Sequence, residues 1–222
     1  MQFFLATMTL ATSLLLTSAS AAASCSTTGK VFCLPIKTGT LVATDSNGHE
    51  RYGAFEGSKN QVGKDVLDLG FYGGVSPAQQ FTFEACASQY TGYTPVLGDT
   101  TTFFGHLVTN QTACVTAAPF PFKNYFTSPT AANCSRADDA SQLAQTWSLT
   151  IGKSATGERE YQLKFIGARK SDPPTANEYG FHGIYAAESP VSALVPFLFY
   201  APPSSIVNGQ EDDADVYTFK LA

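Results

Sequence analysis

Charge is scarce in this chain. Only 14% of the 222 residues are Asp, Glu, Lys or Arg, and the formal net charge is -5. No basic cluster occurs, which argues against nucleic acid or an anionic membrane surface as a partner. Beyond the N-terminus no apolar run is long enough to span a bilayer, so no membrane insertion is expected. Catalytic signatures are missing too. There is no GxSxG, no HExxH and no evident pair of acids. The five cysteines include no CxxC, and His49, His106 and His182 lie far apart in sequence. Neither a metal nor a cofactor is therefore expected, and the chain reads as non-enzymatic. His106 lies in an apolar strand and reads as a packed core histidine. Helical patterning is nearly absent, with Ala137–Gln145, preceded by Ser135, as one short candidate.

The N-terminus runs from Met1 to Leu16 without a charge, and small residues follow from Thr17 to Ser24. This reads as a signal peptide over residues 1–23, cut after Ala21 or Ala23, and so predicts a secreted, extracellular protein. Residues 24–222 then form a single domain with room for a full core, expected to be a monomer. Export makes disulfides the default for Cys25, Cys33, Cys86, Cys114 and Cys134, and the odd count leaves one over. Among Cys25, Cys33 and Cys86 the pairing is open, with Cys33–Cys86 slightly preferred. Sequons at Asn110-Gln111-Thr112 and Asn133-Cys134-Ser135 predict N-linked glycans.

Short alternating segments between Gly, Pro, Asn and Ser clusters predict twelve strands and an all-β fold. They are Val31–Ile36, Gly39–Thr44, Val66–Tyr72, Gln80–Ala85, Thr102–Val108, Ala113–Ala117, Lys123–Phe126, Trp147–Ile151, Tyr161–Ile166, Phe181–Ala187, Val195–Tyr200 and Val216–Leu221. Three of them carry an aromatic, a hydroxyl residue, then Phe or Leu: Phe81-Thr82-Phe83, Trp147-Ser148-Leu149 and Tyr217-Thr218-Phe219. A small apolar strand precedes each: Leu41–Thr44, Cys114–Ala117 and Ile184–Ala187. The spacings, 66 to 73 residues, predict three pseudo-repeats, with the N-terminal strand closing the last.

The middle repeat resembles the ricin B-type β-trefoil family. It opens with Ala113-Cys114-Val115-Thr116-Ala117, has a second cysteine at Asn133-Cys134, and ends on Gln145-Thr146-Trp147-Ser148-Leu149. The resemblance implies a β-trefoil, a Cys114–Cys134 disulfide, and structural roles for Phe81, Trp147 and Tyr217 as core repeat aromatics. It also implies a sugar site built from an aspartate after the opening strand, an aromatic ring and an amide. The strict aspartate positions hold Ala43, Thr116 and Ala186, a departure from the family pattern. Asp45 and Glu188 each lie two residues late. The expected carbohydrate-binding residues are thus Asp45, Asn47, Tyr72 and Gln79 in the first repeat, and Glu188, Tyr200 and Asn208 in the third. A glycan on Asn133 would crowd the second.

The expected function is secreted, non-catalytic, lectin-like binding of a glycan or polysaccharide. The alternative is a protein-binding trefoil, such as a protease inhibitor acting through Asp45–Lys64 or Arg169–Tyr179, or an interaction protein with no small ligand. The acidic run Glu211-Asp212-Asp213-Ala214-Asp215 matches no calcium-loop pattern and reads as a solvated loop.

Overall fold

The computed structural model describes residues 29–45, 47–55, 59, 63–70, 79–95, 101–109, 113–117, 126–127, 129–173, 180–183, 195–200 and 215–222. Strands β1 (Phe32–Thr44), β2 (Glu50–Ala54), β3 (Asp68–Gly70) and β4 (Gln80–Ala87) come first. Then follow β5 (Thr102–Thr109), β6 (Ala113–Ala117), β7 (Phe126–Thr127) and β8 (Pro129–Asn133). A 3₁₀ turn at Ala140–Gln145 leads into β9 (Trp147–Lys153) and β10 (Arg159–Phe165). The last four are β11 (Gly180–Gly183), β12 (Val195–Tyr200), β13 (Asp215–Val216) and β14 (Thr218–Leu221).

Six strands close into a ring, each antiparallel to its neighbours: β1, β4, β5, β9, β10, β14 and back to β1. Alternation fills it. Along β4, Phe81, Phe83 and Ala85 are buried while Gln80, Thr82 and Glu84 are more exposed. Period-two patterning sends alternate side chains to opposite faces, so one face of each strand lines the interior. Leu41, Phe81, Phe83, Leu107, Leu149 and Phe165 are each 0% exposed, and Trp147 and Tyr217 are each 1% exposed. The Trp147 indole N–H, which would be costly to bury unpaired, donates to the Val115 carbonyl at 3.2 Å.

The expected β-trefoil of three equivalent units is corrected. The structure is a closed six-stranded, all-antiparallel barrel with extra outer strands, and its pairing does not follow the three units. Leu41–Thr44 and Cys114–Ala117 were expected to match, but the first is part of a barrel strand and the second, as β6, lies outside the ring. Ile184–Ala187 lies outside the described residues. The outer strands also pair across the expected units, since β12 is bonded to both β3 and β7.

The two strands expected at Val31–Ile36 and Gly39–Thr44 are one, the 13-residue β1. Pro35, inside the first of them, cannot donate a ladder hydrogen bond. Here it sits where the β1–β4 register shifts, between Pro35 and Lys37, at a bulge that absorbs it. The helical candidate at Ala137–Gln145 is shorter, a 3₁₀ turn whose N-cap Asp139 accepts from the Ser141 amide.

Two disulfides are present. Cys33–Cys86 joins directly opposed residues of β1 and β4. Cys114–Cys134 ties β6 to the residue after β8.

The strands β4 and β5 approach so closely at Gly105 that only glycine fits. A Cβ there would lie 1.9 Å from the Glu84 carbonyl oxygen and 2.8 Å from the Cys86 nitrogen, both backbone atoms. Gly105→Ala must push the strands apart and should lower stability by about 1–3 kcal/mol. Urea unfolding followed by emission of the single tryptophan measures this; an unchanged midpoint would contradict the packing described.

Candidate binding shelf

Asp45 follows β1, and the sequence placed a sugar ligand role on it. The structure gives its carboxylate other work. Its Oδ1 accepts from the backbone amides of Asn47 and His49, each at 2.8 Å, and its Oδ2 meets His49 Nδ1 at 2.9 Å. This is a turn aspartate closing the β1–β2 hairpin, with its acceptor sites taken by the turn. Burial would raise its pKa, but the hydrogen bonds from His49 and Asn47 outweigh that and hold the carboxyl below its ordinary value.

Gln79 accepts from the Phe55 amide at 2.8 Å. Gln145 occupies the same place before the other aromatic. Its Oε1 accepts from the Ser135 amide at 2.8 Å, and its Nε2 donates to Thr116 Oγ1 at 2.9 Å and to the Asn133 carbonyl at 3.0 Å. Both glutamines pin outer chain to the barrel. Asn133 is exposed at the end of β8. Tyr200 lies in β12, opposite Gly180 and Phe126. Tyr72, Glu188, Asn208 and Asn110 lie outside the described residues, as do residues 1–28 and 201–214. Of the expected first-repeat set, then, Asp45 and Gln79 each serve a separate structural contact.

A different constellation forms where the segments after β4 and β10 meet the chain ahead of the 3₁₀ turn. Asp138 organises it. Its carboxylate accepts from the Ser88 hydroxyl at 2.6 Å and from the amides of Gln89 and Tyr90 at 3.0 and 3.1 Å. The Lys170 amide donates to the Thr91 carbonyl at 2.8 Å, joining the two segments. Beneath, Tyr93 stacks on Phe104 with ring centroids 3.9 Å apart. On the outer side the Arg169 guanidinium lies over the Tyr90 ring, 5.8 Å from its centroid. Asp172 holds that guanidinium in place, with Nε at 3.0 Å and a terminal nitrogen at 2.9 Å. Hydrogen bonds from Arg169, from its amide and then its side chain, keep the Asp172 carboxyl below its ordinary pKa. Gln89 is exposed beside them.

Behind this shelf is a small recess lined by Ser88, Thr91, Tyr93, His106, Gln142 and Thr146 among others. His106, expected as a core histidine, is 1% exposed and its Nε2 lies 2.8 Å from Gln142 Oε1. A ring nitrogen of His106 lies within 4.8 Å of both sulfurs of each disulfide. Oxidised sulfurs lack the thiolate that binds metal, so these groups are not metal sites while the bridges stand.

Sequence reasoning missed Tyr90, Asp138, Arg169 and Asp172. The signal available was Ser88-Gln89-Tyr90-Thr91-Gly92-Tyr93, two tyrosines about a glycine with φ +75°. Its partners lie about fifty and eighty residues away, a distance no local pattern bridges. Compared with known proteins, the chain matches no family model and no curated protein sequence. The ricin B-type resemblance therefore gains no support from these comparisons, and the barrel contradicts its trefoil register.

Two outcomes are expected. Asp45→Ala should destabilise the β1–β2 turn by about 1–3 kcal/mol, because two amides and an imidazole lose their acceptor, and should leave any sugar binding unaltered. Parallel unfolding and binding assays check this. For His106, burial pushes the pKa below its ordinary value despite the opposing Gln142 hydrogen bond. The unfolded chain, with a histidine pKa of about 6.5, binds the proton more readily than the folded one. Stability is full above that pH and declines as the pH falls below it. Urea midpoints taken between about pH 7.5 and 5 should fall more steeply for the parent than for His106→Gln; equal slopes would refute this reading.

Proposed function

We propose that this is a secreted, non-catalytic carbohydrate-binding protein whose glycan or polysaccharide lies on the Tyr90–Arg169 shelf. The observation that carries the reading is the half-exposed Tyr90 ring with a guanidinium over it and Asp172 fixing that guanidinium. A ring and a planar guanidinium offer flat surface to the apolar face of a sugar. The Arg169 N–H groups not taken up by Asp172 suit sugar hydroxyl oxygens, which accept. The loop is held by Asp138, which reduces the ordering cost of binding. Two disulfides are compatible with an extracellular location.

The reading replaces the expected site around Asp45. Glycan-array binding that free sugar competes for should be seen with the parent. Tyr90→Ala should weaken it roughly tenfold or more, about 1.4 kcal/mol, without moving the unfolding midpoint. Absence of binding to any glycan or polysaccharide would defeat the proposal, as would full binding by Tyr90→Ala.

A further inference from the structure

The hydrogen-bond chain behind the shelf fixes the state of His106. Gln142 Nε2 donates to the carbonyls of Ser135 at 3.0 Å and Ala137 at 2.6 Å. Carbonyls only accept, so the amide cannot be turned over, and its Oε1 faces His106 Nε2. That oxygen also only accepts. The proton of the neutral imidazole is therefore on Nε2, and Nδ1 carries a lone pair. Nδ1 lies 4.0 Å from Cys33 Sγ. A buried base thus faces a disulfide.

The two sulfurs of that bridge differ in access. Cys86 is 4% exposed. Cys33 is half-buried and lies between Phe32 and Leu34, which are 62% and 40% exposed. An outside nucleophile reaches Cys33 first, and attack there makes Cys86 the leaving group. Opening need not separate the strands. The pairs Phe32↔Ala87 and Leu34↔Ala85 flank the bridge, and the β1–β4 register continues to Thr40↔Gln80. The other bridge is held differently. Cys114 is 0% exposed, and Gln145 clamps the backbone on both sides of Cys134, at Asn133 and Ser135.

We propose that Cys33–Cys86 is an exchangeable disulfide that takes up an external thiol at Cys33. The incoming thiol, RSH, loses its proton and its sulfur bonds to Cys33 Sγ. The Cys33–Cys86 S–S bond breaks with its electron pair on Cys86 Sγ. The proton ends on Cys86, with His106 Nδ1 as its station between the two sulfurs. One disulfide and one thiol enter the step and one of each leaves, so no oxidant is needed. In the reverse direction His106 draws the proton from Cys86, whose thiolate then expels RSH. The charged groups about the ring are Glu84 on β4 and Arg136 ahead of the 3₁₀ turn, ion-paired at 3.2 Å. Their opposed effects on the imidazole leave burial as the larger influence. The incoming thiol could belong to a small molecule or to a cysteine of another protein; the chemistry at Cys33 is shared.

The test uses the folded, oxidised protein with any free thiol first alkylated. Reduced glutathione, and separately a short cysteine-containing peptide, are added without denaturant. The reaction is quenched by acid, and mass mapping locates the adducts. The expected product carries the thiol on Cys33, a free Cys86, an intact Cys114–Cys134 bridge and unshifted Trp147 emission. Reaction with both probes points to protein or small thiols, and reaction with glutathione alone to a small thiol. His106→Gln should slow the exchange roughly tenfold or more and leave a rate that rises with pH as the thiolate fraction of the probe rises. The proposal is overturned if Cys114–Cys134 opens first, if the adduct forms on Cys86, or if exchange waits until Trp147 emission shifts. Exchange by His106→Gln at the parental rate would remove the histidine from the step. Should that variant not fold, the site selectivity in the parent still decides the matter.

Discussion

The structure depends on one ladder, the pairing of the first barrel strand with the last. Leu41 faces Leu221 and Ala43 faces Phe219 across β1 and β14, and Thr40 and Ala222 exchange two backbone hydrogen bonds at 3.1 and 3.0 Å. Without this pairing, β1 and β14 each present an open edge, and the interior side chains they cover meet water. The contact joins residues nearly the whole chain apart, so its closure entropy must be met before the ring gains anything from it. The interior supplies the return. Trp147, Tyr217, Phe81 and Phe165 lie together in one apolar cluster, with Trp147 edge-on to Phe165 at 5.4 Å. Burial of large rings is the largest favourable contribution available to a chain with so few charges.

Polar groups then hold the outer chain to that ring, and they do so by satisfying backbone atoms. Gln79 and Gln145 accept amide protons from segments outside the barrel, Asp45 closes a hairpin, and Asp138 fixes the loop after β4. Each is a side chain whose recognition chemistry is directed inward. This explains why residues with the composition of a sugar site need not form one. Hydrogen bonding capacity used by the fold is withdrawn from a ligand. The Arg169–Asp172 pair over Tyr90 differs because it stands at the surface, with the Arg169 side chain 46% exposed.

The cluster of His106, Gln142 and two disulfides sits where barrel, outer strands and 3₁₀ turn converge. It is polar, buried and organised by a short relay of hydrogen bonds. Such a relay fixes a tautomer as firmly as packing fixes a rotamer, because each partner can only donate or only accept. Gly105, next to His106 in β5, lets β4 and β5 close over the cluster.

What the sequence by itself determined is the set of local facts. Period-two alternation marked β4, β5, β9 and β12 at nearly their observed positions, while the core places of Phe81, Trp147 and Tyr217, all buried here, were implied by the family resemblance. Alternation is a property of a single strand, and its consequence for which side faces inward is local. Val31–Ile36 and Gly39–Thr44 read as two strands, because the irregularity that joins them in β1, between Pro35 and Lys37, shows only in the pairing with β4. The likeness of Leu41–Thr44 to Cys114–Ala117 misled for a related reason: small apolar strands read alike whether they line a barrel or lie outside it. Only the tertiary structure decided which strands are neighbours, that Cys33 is bridged to Cys86, that Asp45 serves a turn, and that Tyr90 meets Arg169. These depend on pairing between distant segments, and strand register is set by the whole buried face rather than by any one stretch.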